Sequence, residues 1–247
     1  MRFRDKVVIV TGGASGLGEA TVLEFVKEGA KVSIADISDN GQAFSEELNS
    51  KGYDTIFVKT DVSKEDEIKN LVSKTVEKYG KLDVMFANAG INIEADVHNL
   101  DLKTWHKVLD VNLTSVFLSD KYAIEQFQKQ GTGGVIINTG SIHSLVARDG
   151  LVPYSASKGG IKMLTQQVAA RYSKEGIRAN AIAPGYIETP LMNTLSQDVI
   201  DSLVGLHPMG RLGKPVEVAK TVLFLASDDS SFISGVTLPI DGGYTAV

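Results

Sequence analysis

The sequence predicts an α/β chain, built as a doubly wound sheet of about seven parallel strands in three layers, with helices on both faces. Three observations carry this. Short apolar runs rich in β-branched residues recur along the chain, and longer stretches of helical character separate them. Several of the runs are also continuously apolar, as expected of strands covered on both faces by helices.

Taken in order, the strands fall at residues 7–10, 32–34, 56–58, 84–86, 135–137, 179–182 and 236–240. The intervening helices are expected at about 16–28, 41–51, 64–78, 102–128, 154–174 and 215–226. Several ends are readable. Gly29, Gly52, Gly80 and Gly176 stand where a left-handed helix cap is expected. Ser63 followed by Asp66 resembles a capping box, with Asp in place of the usual Glu. Residues 186–208 are the least regular stretch; they interrupt the alternation and form a candidate lid or substrate loop.

A chain of 247 residues is long enough for one large domain, and no linker, repeat or low-complexity segment divides it. Apolar residues make up 43% and charged residues 22%, the balance of a soluble globular protein. Cysteine is absent, which excludes disulfides, thiolate metal sites and a cysteine nucleophile together. Neither the N-terminal residues nor any later run is apolar enough for a signal peptide or membrane span, so a cytoplasmic location is the expectation. A formal charge of −5 without a dense run of Lys or Arg gives no electrostatic reason to expect nucleic acid or anionic lipid as a partner.

The first strand runs into Thr11-Gly12-Gly13-Ala14-Ser15-Gly16-Leu17-Gly18, a glycine-rich turn opening a helix. Backbone without side chains can approach a phosphate closely there, and helix N-terminal amides favour an anion. The spacing is Gly-x-x-x-Gly-x-Gly, different from the Gly-x-Gly-x-x-Gly dinucleotide fingerprint, and a purely structural strand-to-helix turn would read the same way. Asp36, eighteen residues past Gly18, is placed to bind the hydroxyls of an adenosine ribose. It would repel a 2′-phosphate, and neighbouring Ser15 and Ile37 offer no compensating charge, so NAD is the expected cofactor. The alternative is that Asp36 opens a turn before Asp39-Asn40-Gly41.

Tyr154 and Lys158 are four residues apart, so on a helix they share a face. An ammonium beside a phenol favours phenolate and makes a tyrosine useful for proton transfer. The same spacing is also common on solvated helix faces. Together with the glycine turn, Asp36, Asp61-Val62, Asn88-Ala89-Gly90, Val111-Asn112-Leu113, Ser141 and Pro184-Gly185 leading to Thr189, the pair makes the chain resemble the short-chain dehydrogenase/reductase family over nearly its whole length. The resemblance implies a Rossmann-type domain and an Asn112, Ser141, Tyr154 and Lys158 tetrad. Tyr154 would exchange the proton with substrate oxygen, Ser141 would donate to that oxygen, and Lys158 would hold the cofactor ribose and lower the tyrosine pKa. The main chain of Asn112 would hold a water linking Lys158 to a proton relay. The nucleotide would lie against Gly12, Ser15, Gly16, Leu17, Gly18, Asp36 and Ile37, with Asp61 and Val62 at adenine. Asn88, Ala89, Gly90, Val111, Pro184 and Gly185 would line the cleft, and Ile187 and Thr189 would hold the carboxamide. Taken singly, Ser141 is equally a strand-end cap, and Asn112 a polar residue kinking a helix.

His143 lies in a loop similar to that of 3-hydroxybutyrate dehydrogenases, where a histidine helps hold the substrate carboxylate. Asn92 and Leu151 stand in place of that group's glutamine and lysine, and an ordinary loop histidine is the competing reading. Substrate choice is expected to depend on the shape around Ile93, residues 143–151, Tyr186 and residues 191–195. His98, His106 and His207 share no ligand spacing, so no metal is expected. Trp105, Met163, Met192 and Met209 are expected to pack, while Ile161, Leu164 and Val168 form an apolar helix face for core or interface. The expected activity is reversible NAD-dependent interconversion of a secondary alcohol and a ketone, on a small alcohol, sugar, hydroxy acid or hydroxysteroid. A 3-oxoacyl-carrier-protein reductase is the second reading, disfavoured by Asp36 because those enzymes usually take NADPH. A non-catalytic dinucleotide-binding scaffold is a third. Resemblance also implies a homotetramer.

Overall fold

A computed structural model describes every residue except Leu191, Asn193 and Thr194. Seven strands form one wholly parallel sheet in the order β3-β2-β1-β4-β5-β6-β7. They are β1 (Val7–Thr11), β2 (Lys31–Asp36), β3 (Thr55–Lys59), β4 (Val84–Ala87), β5 (Gly134–Thr139), β6 (Ile177–Pro184) and β7 (Thr237–Ile240). All seven coincide with the apolar runs, because a strand covered on both faces needs no polar residue along its length.

Helices α1 (Gly16–Lys27), α2 (Asn40–Ser50) and α8 (Pro215–Ala226) cover one face, and α3 (Glu65–Tyr79), α5 (Ser115–Gln130) and α6 (Val152–Tyr172) the other. The two-residue period of β1 shows the division. Val8 and Val10 pack with Val22 and Phe25 of α1 and Val222 of α8, while Ile9 between them faces Leu71 of α3 and Phe127 of α5. Phe25 also meets Phe3 edge to face at 4.9 Å, closing the N-terminal segment over the core. The chain order reverses between β1 and β4, and the crevice beyond their C-terminal ends is where an open α/β sheet takes a ligand.

The four expected cap glycines all have positive φ, and at Gly80 (φ 82°) the amide donates to the Val76 carbonyl, closing α3. Other local expectations fail. Ser63 and Asp66 form no capping box: Lys64 is the N-cap residue, and Ser63 donates to Asp61 instead, through both its amide and its hydroxyl. The helix expected over 102–128 is α4 (Leu102–Leu109) and α5 joined through a π-helical turn at Asp110–Thr114, which carries Asn112. Within 186–208 there is a regular helix, α7 (Gln197–Gly205), which buries only Leu203 and so gave a weak apolar period. Met163 and Met209, expected to pack, are 55% and 70% exposed. Ile161 and Val168 are buried within this chain rather than free for an interface. No helix among the described residues is long and apolar enough to cross a membrane.

Candidate active site

A cleft of about 660 Å³ opens at the C-terminal edge of the sheet, across the point where the strand order reverses. Its first wall is the glycine turn. Gly12 has φ 62°, and a Cβ there would stand 2.9 Å from the Ala89 Cα, so both conformation and space require glycine. Gly18 lies behind the turn, where a Cβ would collide with the Gly12 carbonyl; it sets helix packing rather than touching the cleft. Ser15, the N-cap residue of α1, makes no side-chain cap, so it leaves the first-turn amides to whatever faces Gly16 and Leu17 across the cleft.

Asp36 ends β2 beside this turn. Its Oδ2 accepts from the Ala14 amide at 3.0 Å and its Oδ1 from the Ser38 amide at 3.0 Å, so it both opens a turn and clamps the glycine loop. Each oxygen keeps a further lone pair for a ribose hydroxyl. Ile37 projects beyond it, 64% exposed. Asp61 and Val62 line the same end, where hydrogen bonds from Ser63 hold the Asp61 carboxyl below its ordinary range despite opposing burial. These residues fit an adenosine held through its ribose, with the pyrophosphate on the amides of α1.

Asn88, Ala89 and Gly90 form the floor. Thr11, absent from the sequence-based site, organises them: its Oγ1 accepts from the Asn88 and Ala89 amides at 2.9 and 3.1 Å. The Asn88 side chain in turn donates to the Thr11 carbonyl at 3.0 Å, so it braces the glycine turn. Asn112 is fully buried, and its Oδ1 and Nδ2 pair with the amide and carbonyl of Ile91, both at 2.8 Å. It therefore supports the loop behind Gly90 and does not line the cleft, whereas Val111 beside it does.

Ser141, Tyr154 and Lys158 converge opposite the glycine turn. Ser141 caps a short turn, its Oγ accepting from the His143 amide at 3.1 Å. Pro153 sits in the first turn of α6, and Tyr154 and Lys158 stand one turn apart, the Lys158 Nζ 5.5 Å from the Tyr154 ring centre. The ammonium also donates to the Thr139 carbonyl at 2.6 Å. Burial pushes Lys158 down to about 8. The expected lowering of Tyr154 is not what the enclosed hydroxyl shows. Burial pushes it up, and a hydrogen bond with Ser141 offsets part of the rise.

Beyond them lies an aromatic group. The His143 ring stands 6.3 Å from Tyr154, 6.4 Å from Tyr186 and 6.4 Å from Tyr244, edge-on to each. Its Nδ1 is 3.2 Å from the Val146 carbonyl, which can only accept, so Nδ1 holds the proton and Nε2 is left as an acceptor. Burial and the Arg148 charge push His143 below its ordinary value, so the ring is neutral at pH 7. His207 is a positioning residue that spacing did not reveal: its Nε2 accepts from the Tyr186 amide at 3.3 Å and its Nδ1 donates to the Leu203 carbonyl at 2.8 Å. Pro184, Gly185, Ile187 and Thr189 complete the wall, pinned where Gly213 exchanges hydrogen bonds with Tyr186 and Glu188. Arg148, Lys107 and Glu94 also line the cleft. Their positions on loop and helix surface carry no pattern that marks them in sequence. Of the expected substrate-shaping stretch 191–195, residues 191, 193 and 194 lie outside the described residues, and Met192 lines the cleft.

A family model described as enoyl-(acyl carrier protein) reductase matches residues 12–245. The chain is 41% identical over 246 residues to the cis-4-hydroxycyclohexanecarboxylate dehydrogenase of Sinomonas cyclohexanicum, covering 99% of this chain and 98% of the relative. It is 39% identical over 244 residues to the 3-oxoacyl-[acyl-carrier-protein] reductase of Thermotoga maritima, covering 98% and 99%. The crystal structure of levodione reductase superposes with a TM-score of 0.95 at 35% identity, covering all of both chains. Likeness of this extent, in sequence and in fold together, shows that the chain belongs to the short-chain dehydrogenase/reductase family of oxidoreductases, which use nicotinamide cofactors.

Proposed function

We propose that the protein is an NAD-dependent dehydrogenase interconverting a secondary alcohol and its ketone, a single cytoplasmic Rossmann-type domain acting as a homotetramer. The observation that carries this reading is the convergence of Ser141, Tyr154 and Lys158 on one cleft with the glycine turn and Asp36. Bound nicotinamide supplies the hydride acceptor in oxidation and the donor in reduction. Tyr154 takes the hydroxyl proton as the hydride leaves the carbinol carbon, and returns it in the reverse direction. Ser141 donates to the substrate oxygen as it gains negative character.

Lys158 sets the proton affinity of Tyr154. Its ammonium, beside the ring, favours the phenolate and so opposes the effect of burial. With its own value at about 8, Lys158 stays mostly charged at pH 7. Asn112 acts at one remove: by fixing Ile91 it keeps the π-helical turn in place, where its main chain holds the water of the relay.

Asp36 supports NAD over NADP, since its carboxylate would repel a 2′-phosphate and Ile37 beside it offers no compensating charge. The same residue counts against the 3-oxoacyl-carrier-protein reductase reading. The Sinomonas relative makes 4-hydroxycyclohexanecarboxylate the first compound to try, alongside neutral secondary alcohols, sugars and hydroxysteroids. The test is NADH formation by purified protein with each, in wild type and Tyr154→Phe. Loss of at least about 100-fold in turnover with nucleotide binding retained is expected of the variant. Unchanged turnover would refute the role of Tyr154, and strong preference for NADPH would refute that of Asp36. A non-catalytic scaffold would bind nucleotide and turn over nothing.

A further inference from the structure

Beyond Tyr154 the cleft has an aromatic wall and then a cation. Arg148 reaches over the ring of Tyr186, its guanidinium carbon 5.3 Å from the ring centre, and one Nη1 hydrogen is given to the Tyr186 hydroxyl. Both contacts orient the group without neutralising it. Among the described residues no carboxylate stands within 4.0 Å of it, whereas Arg2, Arg171 and Arg211 each pair with one. Its neighbour Asp149 is turned away, accepting from the Gly150 amide. Of the other charged groups at this end, Glu94 and Lys107 also line the cleft; Arg148 is exposed as they are, and its two contacts with Tyr186 set it apart. A guanidinium has five N–H donors, so after the bond to Tyr186 a fork remains of the geometry that fits a carboxylate.

The charge is felt inside the cleft, since it helps push His143 towards neutrality. That neutrality matters for recognition. A ring whose free nitrogen accepts cannot balance a substrate carboxylate, so an anionic substrate must find its positive partner elsewhere, and Arg148 is positioned as that partner. Distance along the wall then sets the spacing. Tyr154 neighbours His143 at 6.3 Å, His143 neighbours Tyr186 at 6.4 Å, and the guanidinium lies on the far ring. Two rings, His143 and Tyr186, therefore stand between Tyr154 and the guanidinium, an order that favours a carboxylate remote from the carbinol carbon over one on the adjacent carbon. The intervening surface is made of ring edges, suited to an apolar ring or chain.

We infer that Arg148, braced by Tyr186, is the carboxylate-binding residue of this site, and that the substrate is a hydroxy acid or keto acid whose carboxylate is separated from the carbinol carbon by an apolar ring or several methylenes. The inference rests on the dehydrogenase reading above. The experiment measures NAD-coupled kcat/KM for 4-hydroxycyclohexanecarboxylate, its uncharged methyl ester, neutral cyclohexanol and a 2-hydroxy acid, in wild type, Arg148→Ala and Arg148→Lys. Cyclohexanecarboxylate, which cannot react, is added as a competitive inhibitor.

Wild type is expected to prefer the remote carboxylate. The acid-to-ester ratio should fall roughly 10- to 100-fold in Arg148→Ala, mainly through KM, with partial recovery in Arg148→Lys. Inhibition by cyclohexanecarboxylate should weaken by a similar factor in Arg148→Ala. An acid-to-ester ratio that Arg148→Ala leaves unchanged, or wild-type preference for the ester, cyclohexanol or the 2-hydroxy acid, overturns the inference while leaving the dehydrogenase reading intact. No turnover of any alcohol or ketone with either nucleotide overturns that reading and the inference with it.

Discussion

Replacing Asp120 by Asn should make the protein more stable, by an amount that grows with pH. Asp120 lies on α5 with only 2% of its surface exposed, between β5 and α6. Asn138 of β5 spends both amide hydrogens there, on Asp120 Oδ2 and Thr165 Oγ1, each at 3.1 Å. That leaves Asp120 Oδ1 and Asn138 Oδ1 buried without a donor. Burial, opposed only by the Asn138 bond, raises the carboxyl from 3.8 to about 7. A carboxyl that ionises later in the folded chain than in the unfolded one is fully compatible with folding at low pH. Its stability is lost as pH rises above the unfolded value and levels off above the folded one. The displacement corresponds to about 4 kcal/mol in all, of which about 3 kcal/mol falls between pH 5 and pH 8. The substituted amide would ionise nowhere and would bring an N–H donor to the position where the protonated acid carries its own hydrogen. Urea unfolding of both proteins at matched concentration, followed by the single tryptophan, Trp105, and by circular dichroism from pH 5 to pH 8, measures the difference. Curves for the two proteins that run parallel with pH, or a variant that is less stable at pH 8, would refute the account of Asp120 as a buried acid.

Lys158→Met should separate stability from activity. Below pH 8 the folded chain holds a buried ammonium whose burial cost is relieved only as pH rises from about 8 towards 10.5, so the variant should gain about 2 kcal/mol at pH 7 after losing its bond to Thr139. Turnover should meanwhile fall at least about 100-fold, and a lower unfolding midpoint would contradict the burial argument. Asn112→Ala should behave oppositely, losing both stability and turnover, because the Ile91 amide and carbonyl are left unpaired at about 1–3 kcal/mol each. A change below about 0.5 kcal/mol in urea unfolding would show that the π-helical turn holds itself.

Much of the site was legible along the chain because its parts are local. The glycine turn, the Asp at the end of β2 and the one-turn spacing of Tyr154 and Lys158 are each set by a few neighbouring residues, and the strand or helix on which they sit can be read from its apolar pattern. The positive φ of Gly29, Gly52, Gly80 and Gly176 was legible for the same reason, since helix ends need a residue without a Cβ penalty. The parallel, doubly wound sheet was legible from the alternation of strand and helix, whereas the strand order that opens the crevice between β1 and β4 leaves no mark in a local pattern.

What the tertiary structure alone decided are the contacts between residues distant in sequence. Asn112 turns its side chain to Ile91, His207 holds Tyr186 from twenty-one residues away, and Thr11 gathers the amides after β4. None of these pairings leaves a period or a motif. Electrostatic state was equally hidden: sequence spacing suggests a tyrosine pushed down by its lysine, whereas enclosure pushes Tyr154 up and Lys158 down, and His143 is pushed towards neutrality by burial and by Arg148. Local pattern determined the fold class and the placement of the glycine turn, Asp36 and the Tyr154 and Lys158 pair on their elements, because periodicity and backbone conformation are properties of short segments. Packing determined their charge and partners, because desolvation depends on everything that surrounds a group in space.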